Sequence, residues 1–228
     1  MTRNLKEEVL AANIGLADSG LVCLTWGNVS GVDREQDLVA IKPSGKPYRA
    51  LEMEDIVLLT LEGKVVDGDL NPSSDLATHM EMYRRFTQIG AIAHVHSAYA
   101  CMFAQACREI PCLGTTHADH FSGPVPVTRP LTPSEVEEDY TGNTGKVIAE
   151  TLGKSDVLEI PAILVAHHGP FTWGGTPGEA VSNAVALETV AKMAMGAYLL
   201  DPGVEPLPEH IKLKHYRRKH GADATYGQ

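Results

Sequence analysis

Two histidines two residues apart, in the run Ala93-His94-Val95-His96-Ser97, are the strongest local chemical signal in this sequence. Side chains at i and i+2 of a strand share a face. Two imidazoles placed so can bind one metal ion, with Zn–N bonds near ~2.0–2.1 Å. A second apolar run ends in Val165-Ala166-His167-His168-Gly169 and offers a third imidazole from another strand end. Spacing does not choose between His167 and His168. Three histidines and one open position describe a catalytic metal site. The plainer reading of each pair is hydrogen-bonded histidines at a polar strand end. Asp75 closes Pro72-Ser73-Ser74-Asp75 and adds a carboxylate, either a fourth ligand or a base. An acid in a first helical turn is also favoured by the helix dipole alone.

Other polar loops suit an anion. Ser73 and Ser74 hydroxyls at a helix start would serve a phosphate as well as a helix cap. Trp26-Gly27-Asn28 and Lys42-Pro43-Ser44-Gly45 add an amide, a hydroxyl, a positive charge and a glycine that permits close backbone approach. Each alone is as well explained by a plain turn; together they would form a cradle. Thr115-Thr116-His117-Ala118-Asp119-His120 holds an acid that could move protons if its neighbours tune it. The C-terminal stretch carries His215, Arg217, Arg218, Lys219, His220 and Tyr226. A charge run there is ordinarily a solvated helix end. Cys101 and Cys107 read as core residues of an apolar helix, and His79, four residues after Asp75, as a packing partner.

These groups need elements to hold them. Leu5, Val9, Ala12 and Leu16 share one helical face, with Gly20 as a stop. Short strands are expected at 21–25, 29–32, 38–41 and 91–96, and a hairpin at 56–66 around Glu62-Gly63. A helix should follow Ser74, burying Leu76, Met80 and Tyr83, and another should span 98–106. Residues 111–133 read as loop with short strands. Thr132-Pro133-Ser134-Glu135 starts a helix, and 145–152 is helical. A strand is expected at 162–166, a long apolar helix at 179–200 and a last helix at 206–219. Mixed strands and helices without a linker or repeat indicate one α/β domain over 1–228.

The chain has 228 residues with 19 Lys plus Arg against 29 Asp plus Glu, a net charge of −10. That sign argues against nucleic acid or an anionic membrane as the main partner. Four cysteines make no disulfide framework, and no run reaches the ~18 apolar residues of a membrane span. No signal-peptide pattern opens the sequence, so a cytoplasmic protein is expected.

In this order, LTWGNVS (24–30), IKPSG (41–45), PSSD (72–75), HVHS (94–97), GTTHAD (114–119), HHGPFTWG (167–174), KHYRRKHG (214–221) and the closing YGQ resemble the class II aldolase/epimerase family, which includes the adducin head. The resemblance runs over essentially the whole chain. It implies a single-domain three-layer α/β/α fold around a mainly antiparallel sheet. It also implies a homotetramer with inter-subunit active sites, to which the tail at 221–228 contributes. The metal would be divalent, zinc above all, one per subunit, on His94, His96 and His168 with Asp75 beside it. Asn28, Lys42, Ser44, Gly45, Ser73 and Ser74 match the phosphate site. Asp119 and Tyr226 match acid/base groups on opposite substrate faces, and Thr115, His215 and Arg218 line that shared site. The implied reaction is epimerisation of a ketopentose phosphate by retro-aldol cleavage and re-formation of C3–C4, with the metal as Lewis acid. The alternatives are an aldolase of the fuculose-phosphate type and a non-catalytic module like the adducin head. Fuculose-phosphate type aldolases carry Glu where this chain has Asp75, which favours the epimerase.

Overall fold

Seven short strands pair into one sheet of order β4-β3-β2-β1-β5-β7-β6, antiparallel at every step. They are β1 (Asn28–Asp33), β2 (Leu38–Ile41), β3 (Val57–Thr60), β4 (Val65–Asp67), β5 (Ala91–His94), β6 (Ala162–Leu164) and β7 (Pro170–Gly174). This computed structural model describes residues 2–221 and Ala224. Among the described residues seven α-helices complete it: α1 (Thr2–Asp18), α2 (Leu76–Arg85), α3 (Ala98–Gln105), α4 (Thr115–Ala118), α5 (Pro133–Leu152), α6 (Pro177–Leu200) and α7 (Glu209–His220).

The period-2 alternation of the strands divides the core into layers. Ile92, Phe171 and Trp173 point to one face and pack with Met80 and Tyr83 of α2 and Ile148 and Leu152 of α5. Ala91, Ala93 and Val29 point to the other face and pack with Ala12 and Leu16 of α1 and Ala180 and Ala184 of α6. The small alanines on that side let α6 lie close. The fold is the expected α/β/α sandwich. Leu5, Val9, Ala12 and Leu16 are all buried, as their spacing requires.

Several elements differ from expectation. The strand expected at 91–96 ends at His94, so His96 stands just past β5 rather than on it. Residues 21–25 form no strand, because Leu24 takes a left-handed φ of 54° and is exposed. Residues 170–174 form a fully buried strand between β5 and β6 that the sequence reading did not anticipate. Its proline is the first residue, one of the few positions where a missing N–H is tolerated in a sheet. The last helix starts at Glu209 rather than at Pro206, with Pro208 as its N-cap. The 111–133 loop holds the short helix α4 and bridges Ile110 to Val125 and Val127 to Leu164.

Candidate active site

Asn28 of β1 lies opposite His94 of β5, which lies opposite Phe171 of β7. The three therefore line up across adjacent strands on the face covered by α2 and α5. His94 stacks on Phe171, with ring centroids 4.2 Å apart at 18°. Its Nδ1 lies 2.9 Å from the carbonyl oxygen of Pro170. A carbonyl can only accept, so Nδ1 carries the proton and Nε2 presents its lone pair outward. That Nε2 is 3.0 Å from Nε2 of His96. His168 completes the group, and one ring nitrogen from each of the three histidines lies within 4.8 Å of the others. A tetrahedral ion with Zn–N bonds of ~2.0–2.1 Å spaces its donors about 3.3 Å apart, so this donor set fits such an ion. Burial pushes His168 down to about 4 and lowers His96, so both rings are neutral near pH 7, the form that ligates metal.

The doublet at 167–168 is resolved by the backbone. His167 sits in the β6–β7 turn with a left-handed φ of 63°. It turns away to Cys107, whose Sγ is 3.4 Å from its Nε2. His168 turns inward.

Asp75 stands at the N-cap of α2, yet its carboxylate makes no capping bond. Its Oδ2 instead accepts from Asn28 Nδ2 at 2.8 Å and lies 4.0 Å from His94 Nε2. Burial works against its charge; His94, His79, His168 and the Asn28 amide outweigh burial and hold its carboxyl below the usual range. The helix-dipole explanation is therefore insufficient for Asp75. Asn28 Nδ2 also donates to Ser73 Oγ at 2.9 Å. Gly27 allows this arrangement, since a Cβ there would fall 2.7 Å from the carbonyl oxygen of His94.

The two serine loops are tied together. Ser44 N–H donates to Asn71 O, Ser73 N–H donates to Lys42 O, and Pro43 bridges Pro72. They line one cavity of about 410 Å³ with Trp26, Asn28, Lys42, Gly45, Ser74, Asp75, His96 and His168. Lys42 is buried, with its ammonium 4.7 Å from the Tyr48 ring centre and 3.2 Å from the Pro43 carbonyl. Burial lowers its pKa. Its charge thus sits in the wall of the cavity, while Ser44 and Ser74 are exposed at its surface.

The remaining predicted residues gather elsewhere. Asp119, the C-cap of α4, accepts from Arg218 Nε at 3.0 Å and Nη2 at 2.6 Å, and faces His215 Nδ1 at 3.1 Å. Burial opposes its charge, but the bonds from Arg218 and His215 hold its carboxyl below the usual range. Thr115 opens the same helix and is exposed. None of these four residues lines the histidine cavity. Tyr226 lies outside the described residues.

His79 is fully buried, with Nδ1 2.7 Å from Ser30 Oγ, and is a packing residue as expected. Cys101 is buried, but Cys107 is exposed beyond the end of α3, which corrects its reading as core. Sequence reasoning missed Tyr140 and Thr141, which line the histidine cavity. The signal was available in Asp139-Tyr140-Thr141-Gly142, a helix-cap pattern inside an otherwise helical run.

The model for the class II aldolase and adducin N-terminal domain matches residues 7–195. Curated relatives from Salmonella paratyphi A (strain ATCC 9150 / SARB42) and Salmonella typhi, each described as L-ribulose-5-phosphate 4-epimerase UlaF, are 50% identical over 226 residues, 99% of this chain and 99% of theirs. Among solved structures, an L-fuculose 1-phosphate aldolase superposes with a TM-score of 0.79 at 27% identity, covering 94% of this chain and 95% of that one.

Proposed function

The chain belongs to the class II aldolase and adducin N-terminal domain family, and from that membership we propose that it is a metal-dependent epimerase interconverting L-ribulose 5-phosphate and D-xylulose 5-phosphate. The observation that carries this reading is the shared cavity. His96, His168 and Asp75, with His94 converging on the same point, share that cavity with the Ser44-Gly45 and Ser73-Ser74 loops. A short sugar phosphate needs both sets: a ketose to be polarised and a phosphate to be held. The fuculose-phosphate type of aldolase works on similar parts. The epimerase reading is favoured by 50% identity to the epimerases over 99% of the chain, against 27% to the aldolase structure.

His94, His96 and His168 would hold one Zn2+ per subunit, with Asp75 beside it. When bound, that ion supplies Lewis-acid polarisation of the ketose oxygens. The chain's own residues do the rest. Ser44, Gly45, Ser73 and Ser74 hold the phosphate, with the Lys42 charge behind them. Asn28 orients Asp75 and Ser73 through the bonds described above. Asp119, ionised beside Arg218, takes the hydroxyl proton whose loss allows C3–C4 to break, and Tyr226 gives one on the opposite face. The aldehyde fragment turns between these events and the bond re-forms with C4 inverted. His215, Arg218 and Thr115 hold the Asp119 end.

Asp119 lies outside the cavity that it must serve. We assign the complete site to two copies of the chain in a homotetramer, in which Asp119 of one copy and the tail at 221–228 of its neighbour serve the same substrate. A cytoplasmic setting fits this reading; among the described residues no helix is long and apolar enough to cross a membrane.

The test is to supply L-ribulose 5-phosphate to chelated enzyme and to the same enzyme reloaded with zinc. D-Xylulose 5-phosphate should form only after reloading. Net release of aldehyde and ketone without the epimer would move the assignment to an aldolase. A pure, folded protein that neither binds metal nor turns over would move it to an adducin-like module.

A further inference from the structure

We propose that Tyr140 is a positioning residue for the metal centre: its hydroxyl fixes the ring of His168 so that Nε2 stays aimed where His94 and His96 converge. The proposal rests on the metal-centre reading above. Tyr140 Oη lies 3.4 Å from Nδ1 of His168, with the ring centroids 6.1 Å apart and tilted by 42°. A histidine that ligates through Nε2 carries its proton on Nδ1 and needs an acceptor there. The Pro170 carbonyl does this for His94; the phenol oxygen of Tyr140 can do it for His168.

A break in α5 brings Tyr140 to this place. Asp139 leaves the helix, with φ −164° and ψ 87°. Its Oδ1 accepts from the N–H of Gly142 at 3.0 Å. An extended residue whose carboxylate binds the amide three residues on is an N-cap. Tyr140 is therefore the first residue of a second helix, and not a mid-helix side chain. Thr144 Oγ1 donates to the Tyr140 carbonyl at 2.8 Å, and Thr78 Oγ1 donates to the Thr141 carbonyl at 2.7 Å. Thr78 belongs to α2, the helix that begins just after Asp75. One helix thus fixes both the acid beside the metal and the start of the segment that carries Tyr140. Gly145 permits the close contact, since a Cβ there would meet Glu81 Cβ at 2.6 Å.

The experiment is a zinc titration against a competing chelator, run on wild type, Tyr140→Phe and Asp139→Ala, with thermal unfolding of each metal-free protein. Tyr140→Phe should lower zinc affinity by about 10–100-fold, the usual cost of losing an outer-shell partner, with metal-free stability unchanged. Asp139→Ala should lower affinity in the same direction by a smaller factor. Equal affinity in Tyr140→Phe and wild type would overturn the proposal, as would an affinity loss matched by a loss of metal-free stability. Unchanged affinity in Asp139→Ala would remove the role given to the helix break. A wild type that binds no zinc would instead refute the metal-centre reading itself.

Discussion

The histidine cavity and the Asp119 cluster are built on opposite plans. The first is rooted in the sheet. His94 is 1% exposed, stacked on Phe171 and anchored to a β-strand carbonyl, and Asn28 opposite it is 1% exposed. The second is a surface clasp between a one-turn helix and the last described helix, closed by an ion pair whose Arg218 side chain is 37% exposed. Groups that must polarise a carbonyl work best when fixed before the substrate arrives. The Asp119 cluster, to which we assign the proton transfers, stands instead on the short α4 and on α7, a helix that buries none of its residues. The comparison predicts that damage to the first region removes binding of metal and activity together. Damage to the second should remove turnover alone.

The largest effect is expected at the first region. His96→Ala should lose metal and activity together, by more than the about 100-fold that an outer-shell change costs. Metal content by mass spectrometry, alongside turnover of L-ribulose 5-phosphate, checks this; full activity without metal would break the comparison. Next, Asp119→Asn should keep its metal and lose turnover by about 10²–10⁴-fold, the usual worth of a proton-transfer group. Mixing Asp119→Asn with Tyr226→Phe subunits sharpens the point. If the two groups meet across an interface, up to about one quarter of sites in a randomly mixed oligomer regain both wild-type residues. No recovery over either parent would place both groups in one subunit.

The smallest effect is on stability. Burial drives the pKa of His79 down to about 3, well below its usual ~6.5. Between those values the unfolded chain binds a proton that the native chain refuses. Stability therefore falls as the pH drops below about 6.5, by up to about 1.4 kcal/mol per pH unit. His79→Gln should flatten that slope in urea titrations between pH 4 and 6.5. Part of the slope should remain, because burial also lowers His117 to about 4. An unchanged slope in His79→Gln would show that this histidine does not govern the acid side.

Much of this was legible in the sequence where periodicity and chemistry agree. The α1 face, the 56–66 hairpin and the helix after Ser74 follow from apolar spacing and turn residues. The pairing of His94 with His96 was legible from their spacing, although β5 ends at His94 and His96 lies just beyond it. What was not legible depended on backbone torsion or on neighbours distant in sequence. Residues 21–25 look like a strand, but Leu24 turns left-handed. The strand at Pro170–Gly174 begins with a proline and ends with a glycine, so it carries none of the usual marks, although it lies between two well-marked strands. His167 and His168 are equal as letters; a single φ of 63° separates them. Tyr140 was passed over because the cap pattern at 139–142 lies between two stretches read as helical, and the bond of Asp139 back to Gly142 is what makes it a break.

The pairing of Asn28 with His94 has a consequence for what this scaffold can learn to bind. Directly opposed residues in an antiparallel pair stand about 4.5–5.5 Å apart, a spacing set by the sheet and not by side-chain choice. The distance from His94, assigned above as a metal ligand, to the amide that organises Ser73 is thus a fixed ruler. Shifting a strand by one residue would turn every one of its side chains to the other face. A variant meant to accept a longer or shorter sugar should therefore leave β1 and β5 alone. It should change the loops at 43–45 and 73–74, where the chain can lengthen without erasing the scale.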